Sequence, residues 1–253
     1  MSEFSGKTAF VTGASRGIGA AAAIGLAKGG AKRVVIHYNS FGQGAEATME
    51  AVRAAGAESD GIQADLGTPA GIEGCIEELK AKAPAVDILI NNAGSLVQRC
   101  ALAEYTEPLF DTVINLNVKS AWFITQAVAP HMIAQGSGAV VFVSSIAARN
   151  GGGPGATIYS AAKAAVATIT KGLAKELAPK GIRVNAISPG TVDNHFHEVF
   201  STREILDNVV RQTPAGRLGT NEEMADLILF LCSKAAAYIH GQTVEINGGM
   251  YMV

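Results

Sequence analysis

A chain of 253 residues that is 48% hydrophobic, with 29 glycines and a formal net charge of -2, has the size and apolar content of one large α/β domain with a substantial core. That near-neutral balance supplies neither the basic field that nucleic acid requires nor an acidic tail, so the expected partner is a small molecule. No apolar run approaches a membrane span, the opening MSEFSGKTAFVTG lacks the charged-then-apolar layout of a signal peptide, and the widely spaced Cys75, Cys100 and Cys232 fit neither a disulfide framework nor a zinc cluster; a reducing, cytoplasmic setting is expected.

Lys7 to Thr12 reads as a short strand, followed by the turn Gly13-Ala14-Ser15-Arg16-Gly17-Ile18-Gly19 and an alanine-rich helix that ends near Gly29 and Gly30. Glycines permit the unusual φ of a tight turn, and the missing Cβ lets backbone amides and a helix amino terminus approach a pyrophosphate. Ser15 and Arg16 add a hydroxyl and a cation. The spacing G-x-x-x-G-x-G departs from G-x-G-x-x-G, so the dinucleotide reading rests on the position of the turn between first strand and first helix.

The second strand, Arg33 to Tyr38, ends about twenty residues after Gly19, where an acidic side chain grips the ribose 2'-hydroxyl of NAD. Tyr38, Asn39 and Ser40 stand there instead. With no carboxylate to repel a 2'-phosphate and with Arg16 nearby, NADP is the preferred cofactor and NAD the alternative. A helix over Gln43 to Ala55, a strand over Glu58 to Ala64 and a helix from about Pro69 to Lys82 follow; Asp65 between the last two either accepts from an adenine amine or caps the next turn. Val86 to Ile90 reads as a buried strand ending in Asn91-Asn92-Ala93-Gly94, which either lines a cofactor cleft or forms a plain turn. Pro108 to Met132 reads as one long helix, too broadly apolar for a surface stripe. Asn115 and Asn117 are poor helix formers in its middle, and one of them is expected to point into the cleft.

The run Ala139 to Val143 has the pattern of a strand buried on both faces, so Ser144 and Ser145 emerge at its carboxyl end, where open parallel sheets bind ligands. After a glycine loop, Tyr159 and Lys163 are four residues apart and share one helix face. An ammonium beside a phenol favours the phenolate, which makes the pair a candidate acid/base device. The helix from Ile158 to Ala178 carries alanines suited to subunit contact, and Gly181 to Ser188 forms another buried strand stopped by Pro189-Gly190. Thr191 to Gly219 lacks a strong apolar period and reads as a mobile substrate-side lid. Asp193, His195, His197 and Glu198 lie within it, but a flexible loop offers little of the fixed geometry a metal site needs; no metal is expected, and the histidines are read as shaping the pocket mouth. A helix over Asn221 to Ser233 and a strand near Thr243 to Ile246 complete one domain over residues 1–253, undivided by any linker or repeat.

Taken in order, Thr12-Gly-Ala-Ser-Arg-Gly-Ile-Gly19, Asn91-Asn-Ala-Gly94, Asn117, Ser145, Tyr159-x-x-x-Lys163 and Pro189-Gly190 resemble the short-chain dehydrogenase/reductase family, in its branch of short chains. The resemblance spans nearly the whole chain. It implies a Rossmann-type, doubly wound, seven-stranded parallel sheet in three α/β/α layers, assembled as a homotetramer through the long fourth-to-fifth helix pair. It further implies that Tyr159 is the acid/base, that Lys163 binds the nicotinamide ribose and lowers the tyrosine pKa, that Ser145 holds the substrate oxygen, and that Asn117 anchors a water relay. The cofactor-binding set under this resemblance is Gly13, Ser15, Arg16, Gly17, Ile18, Gly19, Tyr38, Asn39, Ser40, Asp65, Leu66, Asn91, Ala93, Gly94, Tyr159, Lys163, Pro189, Gly190 and Val192. Two departures stand out: the loop from Ser145 to Tyr159 is one residue longer than is common, and Asn194 replaces a threonine that often sits beside the carboxamide. The implied reaction is reversible hydride transfer between NADP(H) and a carbonyl or secondary alcohol. The first substrate is a 3-oxoacyl thioester, because the Tyr38–Ser40 strand end and the Gly-Gly tail resemble such reductases. Sugar, polyol or steroid dehydrogenation is the alternative, and a non-catalytic NADP sensor is the alternative of a different kind. An enoyl reductase is disfavoured, since that relative places its lysine further from the tyrosine.

Overall fold

The computed structural model describes residues 3–253. All seven strands pair in parallel in one sheet, in the order β3-β2-β1-β4-β5-β6-β7. They are β1 (Thr8–Val11), β2 (Arg33–Tyr38), β3 (Glu58–Gln63), β4 (Ile88–Asn91), β5 (Gly138–Val143), β6 (Ile182–Pro189) and β7 (Thr243–Ile246). This is the expected doubly wound sheet, and the winding reverses between β1 and β4, which opens a crevice at the carboxyl ends of those strands.

Strand side chains alternate between faces, so each strand feeds two cores. Ala9 and Val11 of β1 join a cluster with Val34, Ile36, Leu26 and Ile228, on the face covered by α1 (Gly17–Lys28), α2 (Gly42–Ala54) and α10 (Asn221–Cys232). Phe10 and Val35 point the other way, into a cluster with Leu79, Ile124 and Val166 beneath α3 (Pro69–Lys82), α5 (Ser120–Gln135) and α7 (Thr157–Leu177). Because both faces are covered, β1, β4 and β5 are buried almost throughout, which is why they read as continuous apolar runs. No helix among the described residues is long and apolar enough to cross a membrane.

Three segments differ from the sequence expectation. The long helix expected from Pro108 to Met132 is α4 (Glu107–Ile114) and α5 joined by a widened π turn at Asn115–Lys119. Polar side chains there compete for main-chain groups: Asn117 Nδ2 donates to the carbonyls of Val113 and Ser95, each at 2.9 Å, and Ser120 Oγ donates to that of Leu116 at 2.7 Å. A short helix unforeseen in the sequence, α6 (Ala147–Asn150), follows β5. The stretch from Thr191 to Gly219 holds two helices, α8 (His195–Phe200) and α9 (Arg203–Gln212), started by Asn194 accepting from the Phe196 amide and by Thr202 accepting from that of Ile205. The apolar period read as missing is present in α9, where Ile205, Leu206 and Val209 share one side; ten residues are too few for it to stand out against the polar remainder.

Candidate active site

The crevice opens into a cavity of about 690 Å³, walled by the segments that leave β1, β4, β5 and β6, by the first turns of α7, and by α8 and α9. At its first end lies the glycine turn. Gly13 has φ +65°, and a Cβ there would fall 2.9 Å from Ala93 Cα, so this residue has to be glycine for two reasons. The turn is braced from neighbouring strands. His37 Nδ1 accepts the Gly13 amide at 3.1 Å, and its Nε2 lies 3.1 Å from the Ala64 carbonyl, to which it donates in the tautomer that leaves Nδ1 free. Thr12 Oγ1 accepts from the amides of Asn92 and Ala93, and Asn92 Nδ2 donates to the carbonyls of Thr12 and Gly13 at 2.8 and 2.9 Å. Thr12 and Asn92 belong to the quoted motifs, although neither is singled out there as a cofactor contact; His37 escaped the sequence reading, and only its place on the second strand marks it.

No side chain caps the amino end of α1, whose N-cap residue is Arg16. Its first amides therefore face the cavity as free donors beside Gly17 and Ile18, an anion-binding arrangement that fits a pyrophosphate. Of the residues expected to hold a dinucleotide, Gly13, Arg16, Gly17, Ile18, Ala93, Gly94, Tyr159, Lys163, Pro189, Gly190 and Val192 line this one cavity.

Others lie outside it. Gly19 is a packing position, where a Cβ would meet Asn92 Nδ2 at 2.5 Å. Ser15 lines a second recess with Phe41 and Thr48, shared with Arg16, whose guanidinium carbon sits 3.8 Å above the Phe41 ring. Tyr38 packs against the core at the end of β2, while Asn39 and Ser40 are exposed. Asp65 Oδ1 accepts the Gly67 amide at 2.9 Å, the turn-capping alternative of its two readings. The side chain of Leu66 is buried in the sheet core, so only its backbone can face a ligand. Asn91 turns inward, Nδ2 donating to Thr125 Oγ1 at 2.9 Å.

At the other end of the cavity the two serines after β5 have separate tasks. Ser144 is buried and donates to the Lys163 carbonyl at 2.8 Å, tying strand to helix. Ser145 faces the cavity alongside Tyr159 and accepts the Ala147 amide at 3.1 Å. Lys163 is buried and its Nζ donates to the Val143 carbonyl at 2.8 Å. Asn117 does not line the cavity, but a Cβ on residue 94 would lie 2.7 Å from both its Oδ1 and Lys163 Nζ, so these groups converge behind Gly94. The Asn117 Oδ1 is buried and has no partner, while Asn115 is turned away, its Nδ2 bonded to the Gly67 carbonyl at 3.1 Å. Between the two asparagines, Asn117 is therefore the one beside the cleft.

Burial governs the protonation of this group. It pushes Tyr159 up to about 12, against a smaller downward pull from Ser145, and pushes Lys163 down to about 8. Burial dominates over the expected depression of the tyrosine by the lysine charge; Lys163 Nζ lies 5.7 Å from the Tyr159 ring centre and donates to the Val143 carbonyl.

The remaining wall of the cavity is formed by α8 and α9. Phe196 lies 5.8 Å from Tyr159, and Ile205, Leu206 and Val209 add an apolar wall. His195 and His197 line the cavity, with His197 held well below its ordinary value, at about 4, first by burial and then by the charge of Arg99. His195 Nδ1 meets Glu198 Oε2 at 3.2 Å and His197 Nδ1 faces Ser201 Oγ at 3.3 Å, so the two rings take different partners. Among the described residues no group of three His, Cys, Asp or Glu is placed to hold a metal ion. Asn194, the departure from threonine, is engaged at both ends, capping α8 and donating to Asn221 Oδ1 at 3.0 Å.

Comparison with known proteins agrees with this geometry. The family model described as enoyl-(acyl carrier protein) reductase matches residues 13–251. A 3-oxoacyl-[acyl-carrier-protein] reductase of Staphylococcus epidermidis is 39% identical over 246 residues, covering 97% of this chain and 99% of that protein. Among solved structures, a putative NAD(P)-dependent gluconate 5-dehydrogenase from Beutenbergia cavernae with bound NADP superposes with a TM-score of 0.90 at 34% identity, over 98% of each chain. An NADH-dependent reductase, A1-R', responsible for alginate metabolism, superposes with a TM-score of 0.86 at 34% identity, over 100% of each.

Proposed function

The chain belongs to the short-chain dehydrogenase/reductase family, and on that premise we propose that it is an NADP(H)-dependent oxidoreductase that interconverts a carbonyl and a secondary alcohol, with a 3-oxoacyl thioester as its first substrate. The observation that carries this reading is the convergence of Ser145, Tyr159 and Lys163 on the cavity that also holds the uncapped amino end of α1. The nicotinamide cofactor supplies or accepts the hydride when bound. The free amides at Gly17 and Ile18 would hold its pyrophosphate, and Lys163 its nicotinamide ribose.

The protein's own residues handle the oxygen and the proton. Ser145 donates a hydrogen bond to the substrate carbonyl and fixes its orientation. Tyr159, neutral at physiological pH, donates its phenolic proton to the oxygen as negative charge builds there, acting as general acid; in the reverse direction it is the base. Asn117 Oδ1, buried without a partner behind Gly94, suits a water that returns a proton toward Lys163 and Tyr159.

Tyr159 and Lys163 one helical turn apart favour carbonyl over enoyl reduction, although the matching family model carries the enoyl description. The apolar wall of α9 suits an acyl chain. A second reading, oxidation of a sugar-type hydroxy acid, is supported by the polar Arg99, Asn150, His195 and His197 around the same cavity. The preference for NADP rests on Arg16, held over Phe41 beside the end of β2, and on the absence of a carboxylate at Tyr38 to Ser40.

Within this reading α8 and α9, over about residues 190–219, act as the substrate lid of a single domain. The enzyme is cytoplasmic and assembles as a homotetramer through α5 and α7; exposed Trp122, Phe123 and Ile133 on α5 support such a contact. Following NADPH absorbance with acetoacetyl thioesters and with a panel of sugar acids tests the function. Turnover of at least one class is expected, and NADPH binding without turnover of any of them would support the sensor instead.

A further inference from the structure

The substrate side of the cavity carries a cation that no carboxylate neutralises. Arg99, on the connection from β4 to α4, lines the cavity; among the described residues no Asp or Glu lines it with Arg99, and no ion pair includes that guanidinium. Asp193 acts on neighbouring His197 from outside the lining, opposite in sign to Arg99.

The guanidinium is held in a fixed plane and is only partly used. Its Nε donates to the Phe200 carbonyl at the end of α8, at 2.8 Å, and Nη1 donates to the Pro154 carbonyl in the glycine loop, at 2.7 Å. Of its five donors, one on Nη1 and both on Nη2 have no protein acceptor among the described residues. A planar fork with spare donors and no counter-ion is matched to a carboxylate or phosphate, which it binds through paired N–H···O bonds.

The path from the reacting centre leads to this fork. The Tyr159 ring packs, tilted, 5.8 Å from Phe196, Phe196 5.0 Å from Phe200, and the main chain of Phe200 carries the carbonyl that holds Arg99. A substrate with its carbonyl at Ser145 and Tyr159 and its body along this aromatic wall ends at Arg99. We propose that Arg99 anchors an anionic group, a carboxylate or a phosphate, at the end of the substrate remote from the carbonyl that reacts. This rests on the hydride-transfer reading above and narrows it to oxo acids or to thioesters whose carrier bears phosphate.

Two matched pairs distinguish the sources: 5-oxohexanoate against its methyl ester, and acetoacetyl-coenzyme A against the phosphate-free acetoacetyl-N-acetylcysteamine. Arg99 is exposed, so solvent tempers the effect, and a preference on the order of tenfold in kcat/KM for the charged member of one pair is expected. In Arg99→Gln that preference falls below about twofold while the neutral member keeps its kcat/KM within about threefold; Arg99→Lys restores part of it. An unchanged preference in Arg99→Gln, an equal loss on both members, or no preference in the wild type would overturn the proposal, the equal loss marking Arg99 as a latch on the two carbonyls. Should the wild type reduce none of the four, the hydride-transfer reading fails for these substrates. Calorimetry of 5-oxohexanoate with the NADPH complex then decides Arg99: binding lost in Arg99→Gln supports the anchor, and equal binding, or none in the wild type, overturns it.

Discussion

His37 Nδ1 accepts the backbone N–H of Gly13, so a buried imidazole on the second strand holds the first glycine turn in place. Burial keeps that ring neutral, with its pKa down at about 4 against an ordinary 6.5. Between those values the unfolded chain binds a proton that the folded chain does not, so stability falls as pH drops from 6.5 to 4, by roughly 3 kcal/mol at about 1.4 kcal/mol per unit. His197 contributes in the same direction, which makes the comparison with a variant the informative one. Urea unfolding at pH 7, 5 and 4 is expected to show a markedly shallower pH dependence for His37→Gln than for the wild type; equal slopes would refute the role of the ring.

Gly94 has no room for a methyl group. A Cβ there would sit 2.7 Å from Asn117 Oδ1 and Lys163 Nζ, displacing the groups behind the cavity wall. Gly94→Ala is expected to lower kcat by about tenfold or more, with a circular dichroism spectrum like that of the wild type, because small displacements of positioned groups are costly. Undiminished kcat would show that the convergence of Asn117 and Lys163 has no bearing on turnover.

Arg16 separates the two cofactors. If its guanidinium meets the 2'-phosphate, Arg16→Ala raises the dissociation constant for NADPH by about 10- to 100-fold and leaves that for NADH nearly unchanged, the difference being one charge-assisted contact. Fluorescence titration with both cofactors measures this directly, and wild-type protein that binds NADH the more tightly would reverse the NADP assignment.

Trp122 and Phe123 project from α5 with 40% and 37% of their surfaces exposed, a large aromatic pair for a helix that also packs on the core. If the proposed tetramer forms through this face, Trp122→Arg is expected to shift it to smaller species in analytical ultracentrifugation. An unaltered sedimentation coefficient would move the assembly surface elsewhere.

The parallel sheet was legible because burial on both faces turns β1, β4 and β5 into unbroken apolar runs, and the chemical groups because Tyr159 and Lys163 share a helix face whatever surrounds them. What stayed hidden depends on contacts distant in sequence. Nothing near His37 signals that its imidazole reaches Gly13, 24 residues earlier, and Arg99 meets Phe200 across 101 residues. The π turn at Asn115–Lys119 arises when side-chain amides take main-chain partners, an outcome that helical propensity does not contain. The burial of Tyr159 was hidden for a related reason: proximity to Lys163 can be read from spacing, whereas desolvation, the largest influence on the phenol, is visible only once the cavity is closed around it.

The central claim is that Tyr159 delivers the proton, and the measurement closest to it is the single-turnover rate of NADPH oxidation by Tyr159→Phe with a substrate the wild type reduces. The variant keeps the ring and its contact with Phe196 but has no hydroxyl. NADPH affinity within about threefold of the wild type and a rate lower by about 10²- to 10⁴-fold are expected. A rate equal to that of the wild type would contradict the account.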